Sequence, residues 1–136
     1  MDIQNKILIG GGEFIVRDTN CEEIFTPEDF NDEQKMMREA VKEFADKEIW
    51  SKKHEFEKHN YELTEKVMEK AGNLGFLGVG VPEEYGGLGM PLTSSVLVCD
   101  YFSGSSGSTS TAFGAHTGIG TMPILLYGNE EQKKKY

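Results

Sequence analysis

Ser110, Gly114 and Gly118 stand four residues apart in a segment with helical character, so their small side chains share one face. Two interior glycines cost a helix about 1 kcal/mol each relative to alanine, and something must offset that. Two arrangements would do so. Another helix could approach closely where side chains are missing, or the bare face could line a groove shaped for an apolar ligand. The residue types leave both open. His54 and His59 sit among charged residues and are expected in solvent. His116, beside the glycine stripe, is expected to be partly buried with its ring hydrogen-bonded. Asp100 is expected to pair with a distant arginine or a backbone donor rather than to do acid–base work. Cys21 and Cys99 are far apart and fit no metal spacing. There is no His-x-x-x-His, Cys-x-x-Cys or Gly-x-Ser-x-Gly pattern, and Gly10-Gly11-Gly12 lacks the Gly-Lys-Ser/Thr of a phosphate loop. No catalytic, metal-binding or cofactor-binding set emerges. These residues could shape a site for an apolar molecule, but none could run a reaction alone.

Helices must position them. Thr26, Pro27 and Asp29 predict a helix start or a single turn over residues 25–30. Asn31 and Gln34 form a second start. Met37, Val41, Phe44, Ala45 and Glu48 then recur at helical spacing, widened by Met36, Ala40 and Ile49, to about His54. Leu63, Val67, Met68, Ala71 and Leu74 predict a helix over residues 62–74, with Gly75 as its left-handed cap. Further helices are predicted over residues 93–102, capped by Thr93 or Ser94, over 108–117, and from Met122-Pro123 to Gly128 behind a Thr121 cap. Asn129-Glu130-Glu131-Gln132 repeats the capping pattern and opens a sixth helix that stops at Tyr136. Only Glu13-Phe14-Ile15-Val16 has the character of a short strand, and no alternation persists. The expected class is all-α: a helical bundle of about six helices, the last truncated. Residues 1–24 read as an N-terminal extension and 25–136 as the domain. A well-capped helix ending within two turns is marginal by itself. The chain is therefore expected to be a fragment, the rival reading being a natural end with a frayed tail.

The chain has 136 residues, with 14 Lys+Arg against 23 Asp+Glu and a formal net charge of −9. That length fits one compact domain. The acidity argues against a nucleic-acid binder, because phosphate contacts need clustered Lys and Arg and the only basic run is Lys133-Lys134-Lys135. No stretch approaches the ~18 apolar residues of a membrane span. Met1–Lys6 has neither a signal-peptide nor a transit-peptide pattern, and two separate cysteines make a reducing cytoplasm the expected location. Charge is uneven. From Gly86 to Gly128 the one formal charge is Asp100, and nine of the sixteen glycines fall there. Val96-Leu97-Val98-Cys99 and Ile124-Leu125-Leu126-Tyr127 make a flexible Gly/Ser linker a poor description. The segment reads as helices with short loops, packed against something uncharged.

Residues 81–89, "VPEEYGGLG", are on their own a glycine-rich turn. They also resemble the signature loop of the acyl-CoA dehydrogenase N-terminal domain, as does "GAHTGIGTMPILLYGNEEQKKKY" over residues 114–136. "NDEQKMMREAVKEFADKEI", residues 31–49, resembles that family's first long helix, and "MEKAGNLGFLGVGVPEEYGG", residues 68–87, its second helix and following turn. The resemblance runs in order from about Phe25 to Tyr136. The extension before Phe25 and the Ser/Gly richness of residues 103–111 depart from it.

The resemblance implies a three-part protein of which this chain is the N-terminal helical part, followed by a β domain and a second helical domain. FAD would be held mainly by the other two parts, and the glutamate that removes the α-proton would come from the last, so the chain alone would be inert. The whole enzyme would catalyse α,β-dehydrogenation of fatty acyl-CoA in fatty acid β-oxidation. It would pass electrons to an electron-transfer flavoprotein and assemble as a homo-oligomer, a dimer or tetramer. The helix over residues 110–117 would flank the acyl chain, making Ser110, Gly114 and Gly118 substrate-binding. Small residues there, with "GAHTGIG" similar to the very-long-chain branch, imply long chains. The alternatives are a free-standing helical interaction module and an acyl-CoA oxidase of the same fold.

Overall fold

The computed structural model describes residues 8–136; the reading of Met1–Lys6 lies outside them. The described chain divides after Lys35 into two compact units.

Ahead of its last helical turn, the described part of the first unit is built from single 3-10 turns closed by short-range caps. Asn20 N–H donates to Glu23 Oε2 at 2.8 Å and Thr26 N–H to Asp29 Oδ2 at 2.8 Å, opening the turns Cys21–Glu23 and Pro27–Asp29. The single turn expected at Thr26 is therefore present. The strand expected at Glu13–Val16 is not: Glu13–Ile15 is a 3-10 turn, entered through Gly12 at φ 83°. Gly12 turns the chain back on itself, and the Glu13 carboxylate accepts from Gly10 N–H at 3.1 Å, so no extended partner is needed.

A reciprocal pair, Asn31 N–H to Gln34 Oε1 at 3.1 Å and Gln34 N–H to Asn31 Oδ1 at 2.8 Å, opens helix α1 (Asp32–Phe44). The second unit carries this helix on through a π turn, Ala45–Ile49, and a 3-10 turn, Trp50–Lys52, into α2 (Lys53–Glu57). The long first helix is thus present but not uniform. The wider π turn rotates Ile49 into the seam begun by Val41 and Ala45, where all three are buried, and leaves Glu48 at the rim. Glu48 there accepts from Lys52 and Lys70 Nζ, each at 2.8 Å. Met36, expected on the stripe, is 73 % exposed.

Helix α3 (Tyr61–Asn73) is capped by Asn60, whose side chain accepts from Leu63 N–H at 3.1 Å. Val67 and Ala71 are its buried residues; Leu74 falls past the last turn and is exposed. Gly75 takes the left-handed conformation, φ 81°, as expected. After the loop come α4 (Leu92–Ser105) and α5 (Gly107–Gly114), joined by Ser106 alone. Neither Thr93 nor Ser94 caps α4. The helix starts one residue earlier behind Pro91, which cannot donate a ladder hydrogen bond and ends the loop there. A second π turn, Ala115–Gly120, joins α5 to α6 (Thr121–Tyr127), so Thr121 lies inside a continuous run and its hydroxyl donates back to His116 O at 2.8 Å. The Asn129/Gln132 box opens α7 (Glu130–Lys135) as expected. No strand occurs among the described residues, and the class is all-α.

The core of this unit is aromatic. Phe44 meets Phe76 edge-on at 5.5 Å and Phe102 at 5.7 Å, and Phe102 stacks on Phe113 at 4.4 Å. Such pairs contribute ~1 kcal/mol each beyond simple burial. They lock α1, α4, α5 and the turn after α3 together.

Candidate functional site

The loop over residues 79–91 shapes the site from below. Gly86 sits at φ 86°, where a β-carbon is strained. A β-carbon on Gly87 would overlap the Val81 carbonyl oxygen. Leu88 N–H donates to Gly78 O at 3.0 Å and Met90 N–H to Val79 O at 2.9 Å. The loop is thereby folded flat against residues 78–81, and the glycine-rich motif is a packing device.

Two grooves open above it, and Leu77 and Val81 belong to both. The larger, about 460 Å³, runs between α4 and the α5–π-turn wall. Its floor is Phe76, Val79 and Phe113; its sides are Leu92, Ser95, Val96 and Cys99 opposite Gly114, Thr117, Gly118 and Met122, with Met90 below. No charged side chain lines it. The smaller, about 400 Å³, has an apolar side of Leu77, Val81, Ile124 and Leu125 and a polar side of Tyr85, His116, Thr121 and Lys133. Tyr85 crosses to α7 and donates its hydroxyl to Glu130 Oε2 at 3.0 Å. That bond to a carboxylate, with desolvation of the ring oxygen, raises the phenol pKa above its ordinary value. Lys133 stands 3.7 Å from the same carboxylate and over the Tyr85 ring at 5.6 Å.

Gly114 and Gly118 both line the larger groove. A β-carbon on either would meet nothing within 4 Å, so no neighbouring backbone presses on them. The missing side chains widen a groove rather than admit a helix. Ser110 is elsewhere: its hydroxyl lies 2.9 Å from Ser103 Oγ, and it lines neither groove. His116 is exposed rather than partly buried, because the π turn carries its side chain outward to the smaller groove. Asp100 points to solvent and has no ion-pair or side-chain hydrogen-bond partner among the described residues. The pairing expected for it is not made among the described residues, where the buried face of α4 is taken by Leu97, Val98 and Phe102. His54 and His59 are exposed as expected. No group of three or more His, Cys, Asp or Glu could hold a metal among the described residues, and no described helix is long and apolar enough to cross a membrane.

Sequence reading missed the α4 side of the groove. Leu97 and Val98 are buried, but Val96 is 59 % exposed along the groove wall. An apolar run on an uncharged helix has no polar face to mark which residues turn outward.

The described residues thus form an all-helical unit with one uncharged groove and one of mixed apolar and polar lining, an architecture found in the N-terminal domain of a known enzyme family. The chain belongs to the acyl-CoA dehydrogenase family: residues 31–136 match the family's N-terminal domain. It is 44 % identical over 126 residues to a probable acyl-CoA dehydrogenase of Bacillus subtilis (strain 168), an alignment covering 93 % of this chain and 21 % of that protein. It is 35 % identical over 107 residues to the mitochondrial isovaleryl-CoA dehydrogenase of Bos taurus, covering 78 % of this chain and 25 % of that one. A crystal structure of an acyl-CoA dehydrogenase complexed with FAD from Bacillus anthracis superposes with a TM-score of 0.83 at 43 % identity, over 94 % of this chain and 22 % of that one. The chain thus spans about a fifth to a quarter of the length of these relatives.

Proposed function

We propose that the protein to which this chain belongs is an FAD-dependent acyl-CoA dehydrogenase of fatty acid β-oxidation. In this reading it acts on long-chain acyl-CoA, with an electron-transfer flavoprotein as its acceptor. The larger groove is one wall of the acyl pocket, with Gly114 and Gly118 facing the chain. The observation that carries this is an uncharged groove, widened by two glycines with open space above them, in a chain of this family.

The chain's own residues bind and exclude water. Phe76, Val79 and Phe113 give an alkyl chain an apolar floor, and each CH₂ buried there contributes about 0.8 kcal/mol. Depth of groove therefore sorts chain length, and the bare face at Gly114 and Gly118 favours longer chains. Bound FAD would supply the hydride acceptor. The residues present do not make a site for it by themselves: the larger groove has no cation for a diphosphate, and Lys133 in the smaller one is committed to Glu130 and Tyr85. Neither groove is lined by a carboxylate that could take a proton. Flavin and base belong, in this reading, to other parts of the enzyme.

The whole gene product, purified, should carry a flavin spectrum and reduce an artificial electron acceptor when given long-chain acyl-CoA. A colourless protein without this activity overturns the reading. Preference for isovaleryl-CoA or short-chain thioesters overturns its long-chain part.

A further inference from the structure

Residues 9–23 of the first unit close into a loop of their own. Ile9 N–H donates to Glu23 O at 3.0 Å, so the two ends meet. Arg17 ties the middle to both arms: its guanidinium lies 3.5 Å from Glu13 Oε1 and 3.1 Å from Glu23 Oε1. Gly12, at φ 83°, turns the chain into the tip. The tip then presents three consecutive apolar side chains. Phe14 is half exposed, Ile15 is 74 % exposed and Val16 82 %. These side chains take no part in the ties just named, which are made by backbone and charged groups. A loop held by polar contacts that shows apolar side chains to water is shaped to insert them into something else.

Length and charge name the occupant. The 126-residue match to the probable acyl-CoA dehydrogenase of Bacillus subtilis leaves ten residues of this chain unmatched, so it runs through the tip. Those 126 residues are 21 % of that protein, which is therefore about 600 residues long. The Bacillus anthracis enzyme, matched over 94 % of this chain and 22 % of its own, is of similar length. The Bos taurus isovaleryl-CoA dehydrogenase matches over 107 residues, close to the span of the family domain at 31–136. Since 107 residues are 25 % of it, it is about 430 residues long. The relatives matched through the tip are thus longer by about 170 residues, a domain's worth of chain. Residues 9–23 also carry Glu13, Asp18, Glu22 and Glu23 against Arg17 alone. That acidity repels both an anionic membrane surface and the same loop of a second copy. We propose that the Phe14–Ile15–Val16 tip docks into an apolar pocket, rimmed by lysine or arginine, on a further domain of the same gene product. That domain lies outside residues 1–136 and is shared with the longer relatives. The proposal rests on family membership and not on the acyl reading of the grooves.

The test uses the whole gene product with photo-reactive benzoylphenylalanine in place of Phe14, and reads cross-linked peptides by mass spectrometry. The further domain is the part of the gene product that aligns with no part of the shorter relative, and cross-links are expected within it. Cross-links only to the parts shared with the shorter relative, only between the loops of two copies, or to no peptide overturn the proposal. A gene product with no such further domain overturns it as well. Ile15→Glu combined with Val16→Glu gives a second readout. Both side chains are exposed and outside the loop's ties, so the loop should keep its shape. Two charges forced into an apolar pocket should release the domain and raise protease cleavage within it at least about tenfold. Cleavage there at the wild-type rate overturns the docking. Binding of the wild type, but not of the double variant, to floated lipid vesicles makes the tip a membrane anchor instead and overturns it too.

Discussion

Glycine does opposite jobs at Gly87 and Gly114, and the difference is measurable. At Gly87 the backbone passes so close to Val81 that a methyl group has nowhere to go. Gly87→Ala should lower stability to urea by about 2 kcal/mol, as overpacking does. At Gly114 the backbone is ordinary helix, φ −65°, with open space where a methyl would stand. Gly114→Ala should raise stability by up to ~1 kcal/mol, the helical preference for alanine. Equal destabilisation at both positions would mean that Gly114 is pressed by a neighbour after all. A helix carries this glycine at a cost to its own stability, which is intelligible if the bare face is needed for something outside the helix.

At the scale of elements, the first helix holds its register through a π turn and one carboxylate. The π turn brings Ile49 to the core and leaves Glu48 to tie this helix to α3 through Lys70. Hydrogen bonds from Lys52 and then Lys70 hold the Glu48 carboxyl below its ordinary pKa. A carboxylate whose folded pKa is depressed adds stability above its unfolded pKa, about 4.3, and loses it as pH falls through the folded value. Thermal melts from pH 6 downward should therefore show an acid-side loss that Glu48→Gln lacks. The gain at neutral pH is at most ~1 kcal/mol, because Lys70 is half exposed and water screens the pair. An acid limb identical in both proteins would remove Glu48 from the account. The exposed pairs Glu43–Lys47 and Glu62–Lys66 follow the same i,i+4 logic with little effect on stability.

At the scale of the molecule, one stretch is apolar where a surface would be charged. Between Gly86 and Gly128 the only formal charge is Asp100, and within it Ile119 is 82 % exposed and Leu126 61 %. Surface of this kind marks a place where other matter is meant to lie. Residues 1–136 prepared alone should bind a hydrophobic dye strongly and self-associate as concentration rises, read by fluorescence and light scattering. A dispersed, dye-silent monomer would favour an independent module over a domain that works in company.

Much of this fold is legible from short-range chemistry. Asn31 with Gln34 and Asn129 with Gln132 mark helix starts because each pair closes on backbone three residues away. Gly75 marks a helix end because its left-handed φ is cheap only for glycine. The spacing of Ser110, Gly114 and Gly118 likewise places small residues along one segment. Which of them meet the groove was decided elsewhere. Ser110 is claimed by Ser103, Gly114 and Gly118 face open space opposite Cys99 and Val96, and the π turn carries His116 outward. A cap or a stripe depends on residues within a turn of one another, so the sequence alone determined the helical class, the order of the helices and the boundaries at Asn31, Gly75, Gly128 and Asn129, but not the start of α4 behind Pro91 or the continuous run from α5 into α6. A groove depends on two helices meeting at a particular rotation, set here by Phe102 against Phe113 and Phe44, and only the packed tertiary structure contains that angle.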